Sequence, residues 1–294
     1  MTPLLAGHDQ PAHEPVLLNM VLRFLLGGSP SVLVDGTVGG GGHLRSILEE
    51  CSPDTRIIAT DRDPDAVESL RRELGSDDRV VLRQASYVRV PTILSELDIG
   101  RADGALFDLG LSSVQLDSPD RGFSYRINGP LDMRYDPGSG DPPASEILNE
   151  LPQEMIADII YHYGEERRSR RIARTIVSSR PLRTTGDLVR AVSRGCGRYD
   201  VKALSRVFQA LRIRINDELG QLDSLLRGLA EWVAPEGRVA FLTFHSLEDR
   251  RVKRLFADSD LFRPADPAWV SPGPEERRKN PRSRSAKLRM GIRV

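Results

Sequence analysis

The chain has 294 residues, and at about 150 residues per domain this length predicts two domains. Apolar residues make up 39% of the sequence and charged residues 29%, which argues against disordered, collagen-like and coiled-coil classes. The 42 Lys and Arg balance the 42 Asp and Glu, which argues against a wholly basic nucleic-acid binder but leaves local basic patches open.

Cysteine usage and hydropathy predict the compartment. Cys51 and Cys196 form no CxxC pair, so they offer neither a disulfide framework nor a zinc cluster. The apolar run at residues 16–26 is interrupted by Arg23, is too short to span a bilayer, and is not followed by a small-residue cleavage site. We therefore expect a soluble protein without a membrane partner in a reducing compartment, the cytoplasm.

Short apolar runs alternate with helical segments in the first part of the chain. The predicted strands cover residues 31–35, 56–61, 80–82 and 104–108, and the predicted helices cover residues 42–50, 64–74 and 90–97. Asp63 and Pro64 suit the N-cap and first position of a helix, and Gly75 suits the position after its end. This alternation predicts a parallel sheet covered on both faces.

The pattern changes near residue 111. A stretch rich in Gly, Pro, Asp and Ser continues to about residue 143. The helical segments that follow without intervening strands cover residues 145–151, 153–163, 167–179 and 185–194, and a longer helical region covers residues 203–233. The last predicted elements are a strand at 238–244, a helix at 247–257 and a strand at 287–294. We predict a core of residues 1–112 and 205–294, interrupted by a helical insert at 113–204.

The first predicted strand runs into the sequence DGTVGGGGH at residues 35–43. Ligands of such sheets bind outside the carboxyl ends of the strands, and glycines let the backbone approach a ligand closely. A flexible turn is the alternative, but four consecutive glycines at a strand–helix junction favour a ligand site. The spacing does not fit G-x-G-x-x-G, and no Lys follows the glycines as in a P-loop.

The spacing that does fit is acid-x-x-x-Gly-x-Gly, formed by Asp35, Gly39 and Gly41. It resembles the first motif of S-adenosylmethionine-dependent methyltransferases. Asp61 lies 20 residues after Gly41 at the end of the second strand, where a carboxylate can accept both ribose hydroxyls. NAD proteins share that feature, so Asp61 identifies a nucleoside rather than a reaction. Asp108 ends the fourth strand. An Asp at a strand end commonly just caps a loop, but Asp35, Asp61 and Asp108 all lie at the ends of neighbouring strands, which predicts a shared site.

Longer strings extend the likeness across the chain. They are HEPVLL (13–18), DGTVGGGGH (35–43), DLGLSSVQLD (108–117), RGFSY (121–125), GPLDMR (129–134), FHSLEDR (244–250) and NPRSRS (280–285). Together, in this order, they resemble the RsmH (MraW) family of bacterial methyltransferases of small-subunit ribosomal RNA.

The resemblance implies an α/β fold: a Rossmann-like S-adenosylmethionine-dependent methyltransferase core with a mostly parallel seven-stranded sheet and an inserted helical substrate-recognition domain. It implies S-adenosyl-L-methionine as cofactor and 16S rRNA in the small ribosomal subunit as partner. The implied reaction is methylation of the exocyclic N4 of a decoding-region cytosine, cytosine 1402. The sequence indicates no oligomeric state.

Carried over position by position, the resemblance implies a methyl-donor site of seven residues. They are Gly41, Gly42, His43, Asp61, Tyr87, Asp108 and Gln115. The family has Phe in place of Tyr87, and the aromatic ring is expected against the adenine; a half-buried structural ring is the alternative. Asp108 is also the expected catalytic acceptor for the amine hydrogens, although it precedes Leu-Gly-Leu rather than Pro-Pro-aromatic; a role toward the donor alone is the alternative.

Two histidines have competing interpretations. His43 follows the glycines and alternatively caps a helix; since no second His or Cys lies at ligand spacing, no metal is expected. His245, Glu248 and Asp249 fall on one helical turn after the fifth strand. They either shape the site or form a solvated helix start whose acids are favoured by the helix dipole.

Two segments are basic and free of acids. Residues 167–183 contain seven Arg, and residues 277–294 contain eight Lys or Arg. An ordinary solvated face is the common explanation. In a chain of zero net charge, the two runs instead predict surfaces that bind RNA phosphates.

Three rival functions remain. A DNA cytosine-N4 methyltransferase is opposed by the missing Pro-Pro-aromatic sequence, and an NAD-dependent oxidoreductase by the glycine spacing. A ribosome-assembly factor that only binds RNA is opposed by the intact glycine loop.

Overall fold

The computed structural model describes residues 15–294, so His13 and Glu14 of the first string lie outside the described residues. The strands of this range are β1 (Val32–Asp35), β2 (Arg56–Asp61), β3 (Val80–Gln84), β4 (Ala102–Asp108), β5 (Val233–Thr243), β6 (Phe262–Val270) and β7 (Lys287–Arg293). Its helices are α1 (Leu18–Leu26), α2 (Gly42–Glu50), α3 (Pro64–Leu74), α4 (Val90–Glu96), α5 (Ser113–Asp117), α6 (Ala144–Glu150), α7 (Gln153–Gly164), α8 (Ser169–Val177), α9 (Thr185–Cys196), α10 (Val201–Asn216), α11 (Glu218–Trp232), α12 (Ser246–Asp258) and α13 (Pro274–Lys279).

The strands form one sheet in the order β3-β2-β1-β4-β5-β7-β6. The first five are parallel to their neighbours, whereas β7 is antiparallel to both β5 and β6. The mostly parallel seven-stranded sheet of a Rossmann-like methyltransferase core is therefore confirmed. The chain winds outward from β1 to β3 and then crosses to β4 on the other side of β1. This reversal opens a crevice at the carboxyl ends of β1 and β4.

Four elements, α1, α5, α13 and β6, were not assigned from the sequence. β6 contains Pro264 and Pro267, which lack the N–H that a central strand needs, and it lies at the edge of the sheet as such strands do. The apolar run at residues 16–26 forms α1, which buries Val21, Leu22 and Leu25. None of the helices in the described range is long and apolar enough to cross a membrane.

The sheet is covered on both faces. On one face, Leu44 and Ile47 of α2 pack in a cluster with α1 and with Leu33 and Leu106 of the sheet. On the other face, α4, α11 and α12 pack against side chains such as Phe107 and Phe241. The alternation along β1, β4 and β5 thus places successive apolar side chains in opposite clusters.

A third apolar cluster belongs to the helical insert and joins α6 to α10. The predicted helical region 203–233 is two helices, because Asp217 at the junction has a left-handed φ of 47°. Apart from Ile213, the buried apolar side chains of α10 belong to the insert cluster, whereas α11 packs on the sheet. The predicted boundary at 204/205 thus falls inside α10, and we propose that the insert extends to Asn216.

Candidate active site

A cavity of about 1000 Å³ opens at the carboxyl ends of β1, β2, β4 and β5. It lies at the crevice where the strand order reverses, and its volume is at the upper end of the range of small-molecule sites. Its lining includes Gly42, His43, Asp61, Tyr87, Asp108 and Gln115 of the predicted donor site, together with Tyr135, Glu218, Phe244 and Glu248. Gly41 is the one predicted residue that does not line it.

The glycine loop is shaped by backbone conformation and packing. Gly39 and Gly41 have left-handed φ angles of 47° and 80°. A Cβ on Gly41 would lie 2.4 Å from a methyl carbon of Leu70, and one on Gly42 would lie 2.6 Å from Pro15. These two positions therefore exclude a side chain because of the protein around them. A side chain at Gly41 would thus clash with Leu70 rather than fill ligand space.

Asp61 anchors the same loop. Its Oδ2 accepts the Gly39 N–H at 2.8 Å, and its Oδ1 accepts the Asp63 N–H at 2.9 Å. Burial raises the pKa of the Asp61 carboxyl, and these two backbone bonds partly oppose the rise. Each carboxylate oxygen has two lone pairs, so both oxygens keep the capacity to accept one more hydrogen bond.

His43 connects Asp108, at the end of β4, to the backbone of Val16. Its Nδ1 lies 3.4 Å from Oδ2 of Asp108, and its Nε2 lies 3.2 Å from the carbonyl oxygen of Val16. Both neighbours are acceptors, so the geometry favours a ring protonated on both nitrogens. Burial lowers the pKa of His43, but the hydrogen bond to Asp108 and the charges of Asp108 and Asp35 outweigh burial and raise it. The capping alternative is wrong, because the N-cap of α2 is Gly41 and no side chain caps it.

Asp35 is the third acid of the group. Its Oδ1 accepts the Thr37 N–H at 3.1 Å. Burial raises the pKa of Asp35 to about 7, with His43 opposing the rise. The Thr37 hydroxyl in turn accepts the Asp108 N–H at 2.6 Å, so the ends of β1 and β4 are tied together.

Tyr87 follows β3 in a short 3-10 helix and is half-buried. Its ring meets Phe107 edge to face, with centroids 5.8 Å apart. Burial raises the pKa of the phenol, so the hydroxyl stays neutral at physiological pH. Tyr87 combines a cavity-lining position with an aromatic packing role, so both interpretations from the sequence fit its position.

Gln115 uses its side chain within the protein. The amide Nε2 donates to Oδ2 of Asp63 at 2.8 Å, and Oε1 accepts the Ser112 N–H at 3.0 Å in a capping box. Arg121 bonds the same Asp63 carboxylate at 2.8 Å. The cavity wall at Gln115 thus fastens the start of the insert to the loop that carries Asp61.

Two residues of the cavity lining, Tyr135 and Glu218, and the side chains that hold them were missed by sequence reasoning. Two hydrogen bonds, of 2.7 and 2.9 Å, hold the Glu218 carboxylate against the guanidinium of Arg212. The Tyr135 hydroxyl lies 3.0 Å from Oε1 of Glu218 and 3.2 Å from the carbonyl oxygen of Gly110. Asn216 fixes Tyr135 by accepting its N–H at 2.7 Å. Arg212, Asn216 and Glu218 are close together in sequence, but Tyr135 lies 81 positions from Asn216 and 83 from Glu218, so no single local motif marks the group.

The side chains of His245, Glu248 and Asp249 lie in two different environments. Glu248 is buried at the cavity, where Oε2 accepts the Phe244 N–H at 2.8 Å, and the His245 side chain is 8% exposed. The solvated helix start is therefore wrong for these two. Asp249 instead pairs with β7, 2.8 Å from Lys287 and 2.6 Å from Arg289.

Glu218, His245 and Glu248 bring ligand-type atoms within 4.8 Å of one another. Both oxygens of Glu218 already bond Arg212, which puts a positive charge beside the position a cation would take. The Nδ1 of His245 accepts the Glu248 N–H at 3.4 Å. The cluster is thus arranged for hydrogen bonding rather than for metal ligation.

Several side chains of the two basic runs form ion pairs with acids from other parts of the chain. Arg168 pairs with Glu166 at 2.8 Å and with Asp200 at 3.0 Å. In the second run, Arg282 pairs with Asp117 at 2.6 Å, and Lys287 and Arg289 pair with Asp249. Within residues 15–294, the exposed basic side chains of both runs that form no hydrogen bond or ion pair are those of Arg167, Arg170, Arg174, Arg183, Arg277, Arg278 and Arg284.

The sheet order, the glycine loop and the acid at the end of β2 define an S-adenosylmethionine-dependent methyltransferase. A family model described as the MraW methylase family matches residues 10–293. The chain belongs to that family, which confirms the resemblance found in the sequence.

Relatives named ribosomal RNA small subunit methyltransferase H align with almost the whole chain. The protein of Sorangium cellulosum is 45% identical over 289 residues, covering 96% of this chain and 91% of its own. That of Thermotoga neapolitana is 44% identical and covers 94% of each chain. That of Magnetococcus marinus is 41% identical and covers 95% of this chain and 97% of its own.

Proposed function

We propose that this chain methylates N4 of a decoding-region cytosine in 16S rRNA, cytosine 1402, within the small ribosomal subunit in the cytoplasm. The observation that carries the proposal is a single cavity lined by two different sets of residues. One set, the donor end, contains the glycine loop and Asp61, and the other contains Glu218, Glu248 and Tyr135, where the core meets the insert. The names of the relatives support rRNA as the substrate.

The donor end fits S-adenosylmethionine. The Asp61 oxygens each retain a lone pair for the two ribose hydroxyls, and Tyr87 offers an aromatic face for the adenine. Gly42 and His43 form the cavity wall at the start of α2, and Gln115 also lines the cavity. Gly41 acts indirectly, through the left-handed turn that it allows. When bound, the cofactor supplies an electrophilic methyl group on a sulfonium.

The protein contributes orientation to the reaction. The cytosine amine is a weak nucleophile because its lone pair is delocalised into the ring, so alignment and hydrogen-bond acceptors matter more than a strong base. Asp108 is one acceptor at the centre of the cavity, with Oδ2 facing His43. The base must leave its stack to reach this position, as in other enzymes that act on bases.

The insert is proposed to bind the RNA around the target. Its α8 carries Arg170 and Arg174, both exposed and without an ion pair in the described part of the chain. Arg277, Arg278 and Arg284 supply similar side chains near the end of the core. Arginines of this kind bind phosphates by displacing counterions.

Methyl transfer from labelled S-adenosylmethionine tests the proposal. Small subunits lacking the modification are compared with free 16S rRNA and with DNA containing the same sequence. We expect labelling of small-subunit RNA and none of DNA. Labelling of DNA, or binding of subunits with no transfer to any substrate, would favour the DNA methyltransferase or the non-catalytic assembly factor.

A further inference from the structure

We propose that Glu248 accepts a hydrogen bond from the exocyclic amine of the target base and so selects cytosine over uracil. His245 acts as a positioning residue behind it. The inference rests on the proposed function, in which a cytosine amine is the methyl acceptor.

The sheet places Glu248 beside the transfer position. Asp108 pairs with Leu242 in the register of β4 and β5, and a Cβ on Gly110 would lie 3.7 Å from the Phe244 ring. Glu248 holds the Phe244 N–H at 2.8 Å, so its carboxylate lies just past the end of β5. The strand order β2-β1-β4-β5 therefore sets Asp61 and Glu248 toward opposite ends of the cavity, with Asp108 between them.

The carboxylate of Glu248 is both charged and incompletely bonded. Burial raises its pKa, but contacts with His245, Arg212 and the Phe244 N–H outweigh burial and lower it, so the group is ionised at neutral pH. Oε2 accepts backbone N–H groups from Phe244 and His245. Oε1 lies 3.0 Å from Nε2 of His245, yet that nitrogen has no hydrogen-bond partner in the described structure, because the two groups are poorly aligned. Oε1 thus keeps lone pairs for a ligand.

The neighbouring acids are less suitable. Both oxygens of Glu218 are bonded to Arg212, which neutralises the carboxylate. Asp108 faces the imidazole of His43, whose raised pKa favours a positive charge. His245 accepts the Glu248 N–H through Nδ1, which places its ring proton on Nε2, next to Oε1. His245 thereby helps to keep Glu248 ionised, while the N–H groups of Phe244 and His245 hold its carboxylate in place.

A buried carboxylate distinguishes the two pyrimidines by their exocyclic groups. Cytosine presents an N4 amine that donates, whereas uracil presents an O4 that only accepts. Glu248 therefore attracts the N4 amine of cytosine and repels the O4 of uracil. With uracil bound, the buried carboxylate oxygen would also lack a hydrogen-bond donor, which makes binding less favourable.

The same contact serves the reaction. As the N4–methyl bond forms, the sulfur–methyl bond breaks and the sulfonium becomes a neutral thioether, so the positive charge moves to N4. The amine then loses one proton, which Oε1 of Glu248 accepts and passes to water. An acceptor already in place stabilises this charge without rearrangement.

The substitution Glu248→Gln tests the proposal. The Phe244 N–H requires an oxygen at 2.8 Å, so the amide oxygen takes the Oε2 position and the NH₂ group replaces Oε1. A donor then faces the base. We expect a roughly 10²-fold slower single-turnover methyl transfer and a loss of about tenfold or more in the preference of RNA binding for cytosine over uracil at the target position. Donor affinity, measured by calorimetry, should stay within about twofold.

The matched control is Glu236→Gln, which removes an exposed pair with Arg263 elsewhere in β5 and should match the wild type in all three measurements. A Glu248→Gln enzyme with the wild-type rate and base preference would overturn the proposal. If Glu248→Gln does not fold, Glu248→Asp decides: it retains the carboxylate and should retain a preference for cytosine. A folded Glu248→Asp enzyme that shows no preference would also overturn it. Failure of the proposed function is distinct, because the wild type itself would then not methylate cytosine.

Discussion

Nδ1 of His43 lies 3.4 Å from Oδ2 of Asp108, which joins the first turn of α2 to the end of β4 across 65 positions of sequence. This contact places a protonated imidazole between the donor loop and the strand end where the methyl group is expected. The carbonyl oxygen of Val16 holds the other side of the ring at 3.2 Å. Because the pKa of His43 changes on folding, the stability of the protein depends on pH.

His43→Gln should lower stability most at low pH. The pKa of His43 is raised on folding, so the stabilisation is fully present below its unfolded value of about 6.5 and is lost as pH rises through the folded value. We expect a loss of about 1.5–3 kcal/mol at pH 6, typical of a hydrogen bond to a charged group, and a smaller loss at pH 9. Urea unfolding of both proteins at several pH values measures this. A difference that widens with increasing pH would contradict the assignment.

Asp61→Ala should weaken donor binding by on the order of 1.5–3 kcal/mol, because contacts to both ribose hydroxyls are lost. The substitution also frees the N–H groups of Gly39 and Asp63. Asp61→Asn keeps one acceptor oxygen and should bind donor better than the Ala variant. Calorimetry with the folded variants measures the donor affinity of both. A donor affinity of Asp61→Ala equal to that of the wild type would show that Asp61 does not bind the donor.

Gly41→Ala should destabilise the protein and weaken donor binding through the loop. Its φ of 80° is strained for Ala, and the new Cβ meets Leu70 at 2.4 Å. Gly40→Ala is the matched control, because its Cβ meets Val114 at 3.9 Å and its φ is not left-handed. Thermal unfolding should show a clear decrease for Gly41→Ala alone. Adding Leu70→Ala should recover only part of it, because the backbone strain persists; equal behaviour of the two glycine variants would refute this account.

Replacing Arg167, Arg170 and Arg174 by Gln should make the salt dependence of RNA binding shallower by roughly one unit per lost phosphate contact, up to about three. Donor affinity should not change. Arg168→Gln serves as the comparison, since Arg168 pairs with Glu166 and Asp200 and should affect stability rather than the salt slope. A salt titration in which the triple variant keeps the wild-type slope would rule out RNA contact through this part of the insert.

The sequence predicted helices and strands correctly where a single segment contains all the residues that determine the element. The predicted elements with definite ends agree with the structure within about two residues, except that β5 starts earlier, at Val233. The Asp63–Pro64 helix start is confirmed, because the Asp63 side chain accepts the Asp65 N–H. Local propensity and hydrophobic period suffice for such features.

Contacts between residues from different segments could not be predicted from local sequence patterns. Glu218 and Tyr135 meet only after the insert packs on the core, and neither has a local pattern that distinguishes it from a surface residue. The second basic run contains no acid in sequence, yet Asp249 and Asp117 form ion pairs with three of its cations in the folded chain. Charge counting along a segment cannot include partners that folding supplies.

The most direct test of the central claim is the identity of the methylated nucleoside. Small subunits lacking the modification are incubated with the enzyme and labelled S-adenosylmethionine, and the RNA is digested and separated by chromatography with mass spectrometry. The account predicts label in N4-methylcytidine, from one decoding-region position of 16S rRNA. Label in 5-methylcytidine, in a ribose-methylated nucleoside or in another base would contradict it.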